Sequence, residues 1–231
     1  MRGFMSSEKN QVWETNYQSG RFNSYPFDDV VSFIMSRFGR SQDRRQIRIL
    51  DLGSGGGNNA RFLCAEGFDV YAVDGSPKSV ELTNKFMRQE GAKENAVVAN
   101  FKELPYEDDY FNCVVDRQSI GHNPGKEIDA IIAEVFRTLK TGGYYLGFVL
   151  SNNHPHIQFG KPMNLEGDVN HFTQGSFIYS GLVHFFSVSE IERRFCKFEI
   201  EDIILRSSKS LRSAVDSSYN DQYFIVIGKK S

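Results

Sequence analysis

Apolar positions along the chain switch repeatedly between two periods. Phe27, Val30, Val31, Ile34 and Phe38 recur at helical spacing after Pro26, the core-facing stripe of an amphipathic helix. Ile47 to Leu52 predicts a first strand and Ala60 to Glu66 a helix closed by Gly67. Asp69 to Asp74 predicts a second strand and Val80 to Glu90 a helix closed by Gly91, glycine being favoured where a helix ends in a left-handed residue. Ala96 to Ala99 and Phe111 to Asp116 predict short strands. Ile128, Ile131, Ile132, Val135, Phe136 and Leu139 mark a long helical stripe ended by Gly142-Gly143, and Tyr144 to Leu150 a fifth strand. Strands alternating with helices predict a parallel sheet with helices on both faces.

After Leu150 the rhythm breaks. Residues 151–186 hold many aromatics, several glycines and four of the five histidines, but no long periodic helix. A segment of that length is too long for a plain connection, so a functional role is expected. Ser187-Val188-Ser189-Glu190 has the form of a capping box opening a helix over Ile191 to Phe195. Phe198 to Leu205 and Tyr223 to Ile227 predict two more strands, with Ser207 to Asn220 as an exposed polar loop. No internal repeat or linker interrupts the chain, so residues 1–231 are expected to form one domain.

The richest stretch is Ile49-Leu50-Asp51-Leu52-Gly53-Ser54-Gly55-Gly56-Gly57-Asn58. A strand runs into a glycine-rich turn and then a helix. Glycine permits the sharp turn and lets a ligand lie against bare main chain, and the helix start offers unpaired N–H groups. A nucleotide-like cofactor is the ligand this pattern points to. The frame Gly55-Gly56-Gly57-Asn58-Asn59-Ala60 also fits the dinucleotide pattern G-x-G-x-x-A, a weak signal by itself. Asp74 ends the second strand, where a carboxylate serves a ribose diol; a cap for the turn Gly75-Ser76-Pro77 is the structural alternative.

Composition narrows the class. At 40% hydrophobic and 24% charged residues, the chain reads as soluble and globular rather than disordered. A net charge of −2 gives no general attraction to nucleic acid. No apolar run approaches the ~20 residues that span a bilayer, and Met1 to Gln11 lacks the apolar core of a signal peptide. Cys64, Cys113 and Cys196 stand far apart without metal spacing and read as reduced thiols of a cytoplasmic protein. Nothing here sets an oligomeric state.

Asp51-x-Gly53-x-Gly55-x-Gly57 resembles the first motif of Rossmann-like (class I) S-adenosylmethionine-dependent methyltransferases, and Val73-Asp74-Gly75-Ser76 their second. Asn100 to Tyr106 and Phe111 to Val115 resemble the third and fourth, and Arg137 to Gly143 the loop before strand five. The likeness covers about residues 47 to 150. It implies a three-layer α/β sandwich with a seven-stranded, mostly parallel sheet, helices on both faces and the last strand antiparallel. Residues 1–45 would then be an N-terminal helical cap and 151–186 an insertion serving as an acceptor lid. The resemblance also implies S-adenosylmethionine as methyl donor, S-adenosylhomocysteine as product, and a donor site built from Asp51, Gly53, Ser54, Gly55, Gly57, Asp74, Gly75, Ser76, Asn100 and Phe101. An acidic Asp51 suits a ligand with an ammonium group better than a pyrophosphate, which it would repel. Asn100 stands where family members often carry Asp, and its carbonyl oxygen still accepts a hydrogen bond. Arg117 and Gln118 are expected near the methionine part. Val12 to Tyr17 resembles the family's entry helix, with Tyr17 reaching the methionine tail and Arg21 its carboxylate; ordinary amphipathic packing is the alternative.

The acceptor side is less determined. Strand four ends in Asp116-Arg117-Gln118-Ser119-Ile120-Gly121-His122. His122 is the candidate general base, because His titrates near working pH; a structural His bonding a loop carbonyl is the competing reading. His154-Pro155-His156, His171 and His184 invite a metal, but no carboxylate or Cys stands at a metal spacing, so no metal is assigned. They and Phe159, Phe172, Phe177 and Tyr179 read as an acceptor pocket or as a structural hairpin insertion. Transfer to O or N of a small molecule is the favoured expectation. An RNA or protein methyltransferase, a nicotinamide oxidoreductase and a non-catalytic binding protein are the alternatives, since fold alone does not separate them. The absence of an Asn-Pro-Pro-Tyr-like tetrad at strand four disfavours base-amino methylation.

Overall fold

The structure, a computed structural model, describes residues 8–212 and 220–231. Two helices, α1 (Glu8–Gln18) and α2 (Asp28–Phe38), precede the first strand. Then follow β1 (Arg48–Leu52), α3 (Asn58–Ala65), β2 (Asp69–Asp74), α4 (Pro77–Gln89), β3 (Ala96–Val98), β4 (Phe111–Arg117), α5 (Gly125–Thr138) and β5 (Leu139–Leu150). The insertion carries three short strands, β6 (Lys161–Pro162), β7 (Asp168–Asn170) and β8 (Val183–His184), and the chain ends with α6 (Val188–Arg194), β9 (Glu199–Ser208) and β10 (Asp221–Lys229).

The main sheet has seven strands in the order β3-β2-β1-β4-β5-β10-β9. Neighbours from β3 to β5 pair in parallel, and β10 runs antiparallel to both β5 and β9. The strand order reverses between β1 and β4, which opens a crevice at their carboxyl ends. Alternate residues of the strands feed two cores. Leu50, Leu52, Val114 and Tyr145 pack with α5 and α6 residues such as Ile131 and Ile191. Ile49, Cys113, Val115 and Phe148 pack with Val30 and Ile34 of α2, Leu63 of α3 and Met87 of α4. This period-two division leaves the sheet covered on both faces.

Boundaries differ from the sequence expectation in informative places. The second βαβ helix begins at Pro77 rather than Val80, because the Ser76 hydroxyl accepts from the Ser79 N–H at 3.1 Å and Pro suits the first helical position. The fifth strand begins at Leu139 rather than Tyr144: Gly142, at φ +80, donates to the Lys230 carbonyl, and the pairing with β4 slips between Phe111 and Cys113. β9 runs on through Ser207 and Ser208, paired with Gln222 and Asp221; the rest of the expected polar loop falls partly on 213–219, outside the described residues, as do residues 1–7 of the N-terminal cap. Within the insertion only Val183–His184 of the alternating Phe177–Phe186 stretch pairs as strand. Val169, Phe172, Phe177 and Phe185 instead close a small core of their own against Leu150. No helix among the described residues is long and apolar enough to cross a membrane.

Candidate active site

The turn after β1 is built on backbone conformations that only glycine adopts easily. Gly53, Gly55 and Gly57 have φ of +72, +55 and +80. A β-carbon on Gly53 would lie 2.0 Å from the Ser119 hydroxyl, and one on Gly57 2.9 Å from the Thr83 backbone, so the surrounding packing requires glycine as well. The turn is fastened from three sides. The Gly53 and Ser54 N–H groups donate to the Val73 carbonyl at 2.8 and 3.1 Å. The Ser119 hydroxyl donates to the Gly53 carbonyl at 3.2 Å. Asp74, at the end of β2, accepts from the Gly55 N–H through Oδ2 and from the Ser76 N–H through Oδ1, both at 2.9 Å.

Beside this turn opens a cavity of about 600 Å³, within the span of ~300–1,000 Å³ usual for small-molecule and cofactor sites. Gly53, Ser54, Gly55 and Gly56 form its floor, Asp74, Gly75 and Ser76 one end, and Asn100 and Phe101 the adjoining wall. Arg117, Gln118 and His122 enter from the end of β4, and Tyr17 and Arg21 from the N-terminal segment. Asp51 and Gly57, also expected at the ligand, do not line it. Asp51 is buried behind the turn and accepts from the Ala60 N–H at 3.1 Å. Burial pushes its carboxyl up to about 7, reinforced by the nearby Asp74 and Asp116 charges and opposed by the Ala60 bond.

The turn after β4 faces the glycine turn. Asp116 is fully buried; its Oδ1 accepts from the Ser119 and Ile120 N–H groups and its Oδ2 from the Tyr145 hydroxyl at 3.1 Å. Burial pushes this carboxyl to about 7 against those bonds. The tight closure places Gln118 at φ +69, a left-handed conformation that is uncommon for a residue with a side chain and is enriched at functional sites. His122 lies with Nδ1 3.4 Å from the Leu182 carbonyl and its ring edge-on to Trp13 at 4.8 Å.

Helix α1 roofs the cavity. Glu14 accepts from the Ser76 hydroxyl at 2.5 Å and from the Lys78 N–H at 3.0 Å. Burial works to raise the Glu14 pKa, but these bonds outweigh it and hold it below the usual carboxylate range. Burial, with the Asp74 and Asp51 charges, raises the Tyr17 phenol well above its ordinary value. The α1–α2 connection is tied down by α3: Asn58 Nδ2 donates to the Tyr25 carbonyl at 2.8 Å, and Asn59 Oδ1 accepts from the Phe27 N–H at 3.3 Å. Glu14, Asn58 and Asn59 carried no sequence signal of this role; each acts through a partner 30 or more residues away.

No described residue of 151–186 lines this cavity. The insertion stands beside it, against α1 and the β4 turn. Asn16 Nδ2 donates to the Tyr179 carbonyl at 2.7 Å, and the Arg21 guanidinium lies 4.0 Å over the Tyr179 ring. Its histidines have protein partners. His154 Nε2 lies 2.9 Å from Asp221, and its Nδ1 accepts from the His156 N–H at 3.0 Å. His156 Nδ1 accepts from the Ser176 N–H at 3.1 Å. Fully buried His184 lies between Asp168 at 2.6 Å and Glu190 at 2.9 Å, and Asp168 also accepts from Gly125 at the start of α5. Exposed His171 stands apart, at φ +53. Among the described residues no three His, Cys, Asp or Glu side chains are grouped to hold a metal ion.

A seven-stranded sheet of this order, with a glycine turn fastened to an acidic β2 end and a cavity beside them, has the α/β fold of the class I methyltransferase type. Residues 49–143 match the family described as a methyltransferase domain. The chain is 31% identical over 145 residues to a ubiquinone biosynthesis O-methyltransferase of Rickettsia conorii, covering 54% of this chain and 50% of that one. It is 31% identical over 101 residues to a sarcosine/dimethylglycine N-methyltransferase of Halorhodospira halochloris, covering 42% and 36%. The first of these matches thus spans about half the length of that curated relative. The Burkholderia thailandensis 1,6-didemethyltoxoflavin-N1-methyltransferase, solved with S-adenosylhomocysteine, shares the fold with a TM-score of 0.68 at 16% identity, covering 96% of this chain and 87% of that one.

Proposed function

We propose that this chain transfers a methyl group from S-adenosylmethionine to an oxygen or nitrogen of a small-molecule acceptor by in-line displacement. The observation that carries the reading is the glycine cradle of Gly53 to Gly56 joined to Asp74 at the edge of one cavity, where bare main chain and a fixed carboxylate meet. The residues fit the donor: Asp74, held in place by its bonds to Gly55 and Ser76, is the carboxylate for a ribose diol, and Asn100 and Phe101 flank the adenine side. Tyr17, Arg21 and Gln118 close around the amino-acid end. Asp51 serves from behind, holding the start of α3 through Ala60. When bound, the donor supplies an electrophilic methyl on a sulfonium.

What the chain adds is alignment and exclusion of water. The roof of α1, clamped by Glu14 to Ser76 and Lys78, covers the donor end. His122 stands on the β4 side, its Nδ1 3.4 Å from the Leu182 carbonyl, and is the group that takes a proton from an alcohol acceptor. The relatives, an O- and an N-methyltransferase by name, support either heteroatom. The near-neutral charge supports a small molecule over nucleic acid as partner. The test is S-adenosylhomocysteine release from S-adenosylmethionine across phenols, amines and amino acids. Turnover with any of them supports the reading, whereas release only with RNA or protein would overturn the acceptor class.

A further inference from the structure

Arg117 lines the cavity, where the sequence resemblance places it near the methionine part, but its surroundings set it apart from the residues of the ribose and adenine side. Its guanidinium is held between aromatic rings, 4.2 Å from Phe27, 4.9 Å from Phe148 and 5.0 Å from Tyr223. Its Nε is shielded from solvent and has no hydrogen-bond partner among the described residues. Burial lowers its pKa, yet an arginine stays charged at any working pH. The nearby carboxylates are engaged elsewhere: Asp221 with His154, Asp29 with Arg206 and Tyr223, and Asp116 with its own turn. A buried cation without a hydrogen-bonded anion is costly. The rings fix its plane but satisfy none of its five N–H donors.

Position separates this group from the ribose end. Asp74 lies on β2 and Arg117 on β4, two strands on, about 10 Å at usual strand spacing. Two of the rings that hold the guanidinium belong to β5 and β10, farther still from β2. Two in-plane N–H groups of a fixed guanidinium match a planar carboxylate bidentately. The three neighbouring Asp side chains cut the local positive potential, which suits a single negative charge better than a phosphate dianion.

Resting on the methyltransferase reading, we propose that Arg117 is the acceptor-recognition residue and that the acceptor carries a carboxylate. The probes are matched pairs, 3,4-dihydroxybenzoate with its primary amide and sarcosine with its amide. Each is tested by melting temperature in saturating S-adenosylhomocysteine and by turnover. The parent protein should prefer the carboxylate of at least one pair by about 10–100-fold, as charge-assisted bonds imply. Arg117→Gln should abolish that preference and Arg117→Lys should keep part of it. A third arm compares S-adenosylhomocysteine with 5′-methylthioadenosine, which lacks the amino-acid tail. Their affinity ratio should be the same in parent and Arg117→Gln. A ratio that collapses would assign Arg117 to the donor's own carboxylate and overturn the proposal. So would a parent that binds S-adenosylhomocysteine but shows no carboxylate preference, or prefers phosphate monoesters. A parent that binds no S-adenosylhomocysteine would instead sink the donor reading beneath it.

Discussion

Replacing Asp74 by Ala tests a side chain that serves the fold and the ligand at once. Asp74 accepts from two backbone N–H groups, of Gly55 and of Ser76, at 2.9 Å each. Hydrogen bonds to a charged group contribute about 1.5–3 kcal/mol each. Ser76 is fully buried, so its N–H gains no water in exchange, whereas the Gly55 N–H opens on the cavity and is rehydrated. A total near the low end follows, about 3 kcal/mol. For a domain of this size that is a fall in melting temperature of roughly 6–12 °C. The two acceptor bonds to the ribose go as well, about 3 kcal/mol or more together, so affinity for S-adenosylhomocysteine should fall by about 150-fold or more. Asp74→Asn keeps one acceptor oxygen and should show about half the stability loss. Calorimetric titration and thermal unfolding read the two effects separately. A destabilised variant that binds S-adenosylhomocysteine within about threefold of the parent would show that Asp74 fastens the loop and does not hold the ligand, and unchanged values of both would refute the whole argument.

His122→Ala should lower turnover about 10²–10⁴-fold with an alcohol acceptor while leaving S-adenosylhomocysteine affinity within about threefold; an equal loss in both would place His122 at the donor. Asp51 has its pKa raised to about 7 in the folded state against an ordinary value of 3.8, so the folded protein holds this proton more tightly. The contribution to stability therefore falls as pH rises from about 4 to about 7, by up to roughly 4 kcal/mol. Asp51→Asn, which still accepts from Ala60, should flatten the stability–pH curve over that window; parallel urea-denaturation curves for parent and variant would contradict this. His184→Ala leaves Asp168 and Glu190 without their shared partner and should destabilise the protein by about 3–5 kcal/mol, with no response of the parent's melting temperature to chelator. A parent destabilised by chelator would point to a metal instead.

The parts of this molecule legible in the sequence are those where local physics fixes the residue. Gly53, Gly55 and Gly57 are readable because left-handed backbone and close packing exclude side chains. The strand–helix alternation is readable because both faces of the sheet are covered. The start of β5 was not, because a turn at Gly142 is drawn into the sheet by the distant Lys230 carbonyl. Long-range partners also decide the histidines. His-Pro-His reads as a chelating pair until Asp221 and Ser176 are brought beside it, and His184 until Asp168 and Glu190 flank it. The aromatic cage of Arg117 is assembled from α1–α2, β5 and β10, so no window of sequence contains it. The acidic residue of the first motif shows the same limit: its spacing is local, but its position behind the turn, away from the cavity, is a matter of packing.

The central claim is that the cavity beside Gly53 and Asp74 is built for S-adenosylmethionine. Isothermal titration of the purified protein with S-adenosylhomocysteine, and separately with NAD, tests it most directly. The account predicts saturable binding of S-adenosylhomocysteine that is weakened in Asp74→Ala, and no heat of binding from NAD. Saturable binding of NAD with none of S-adenosylhomocysteine would contradict it.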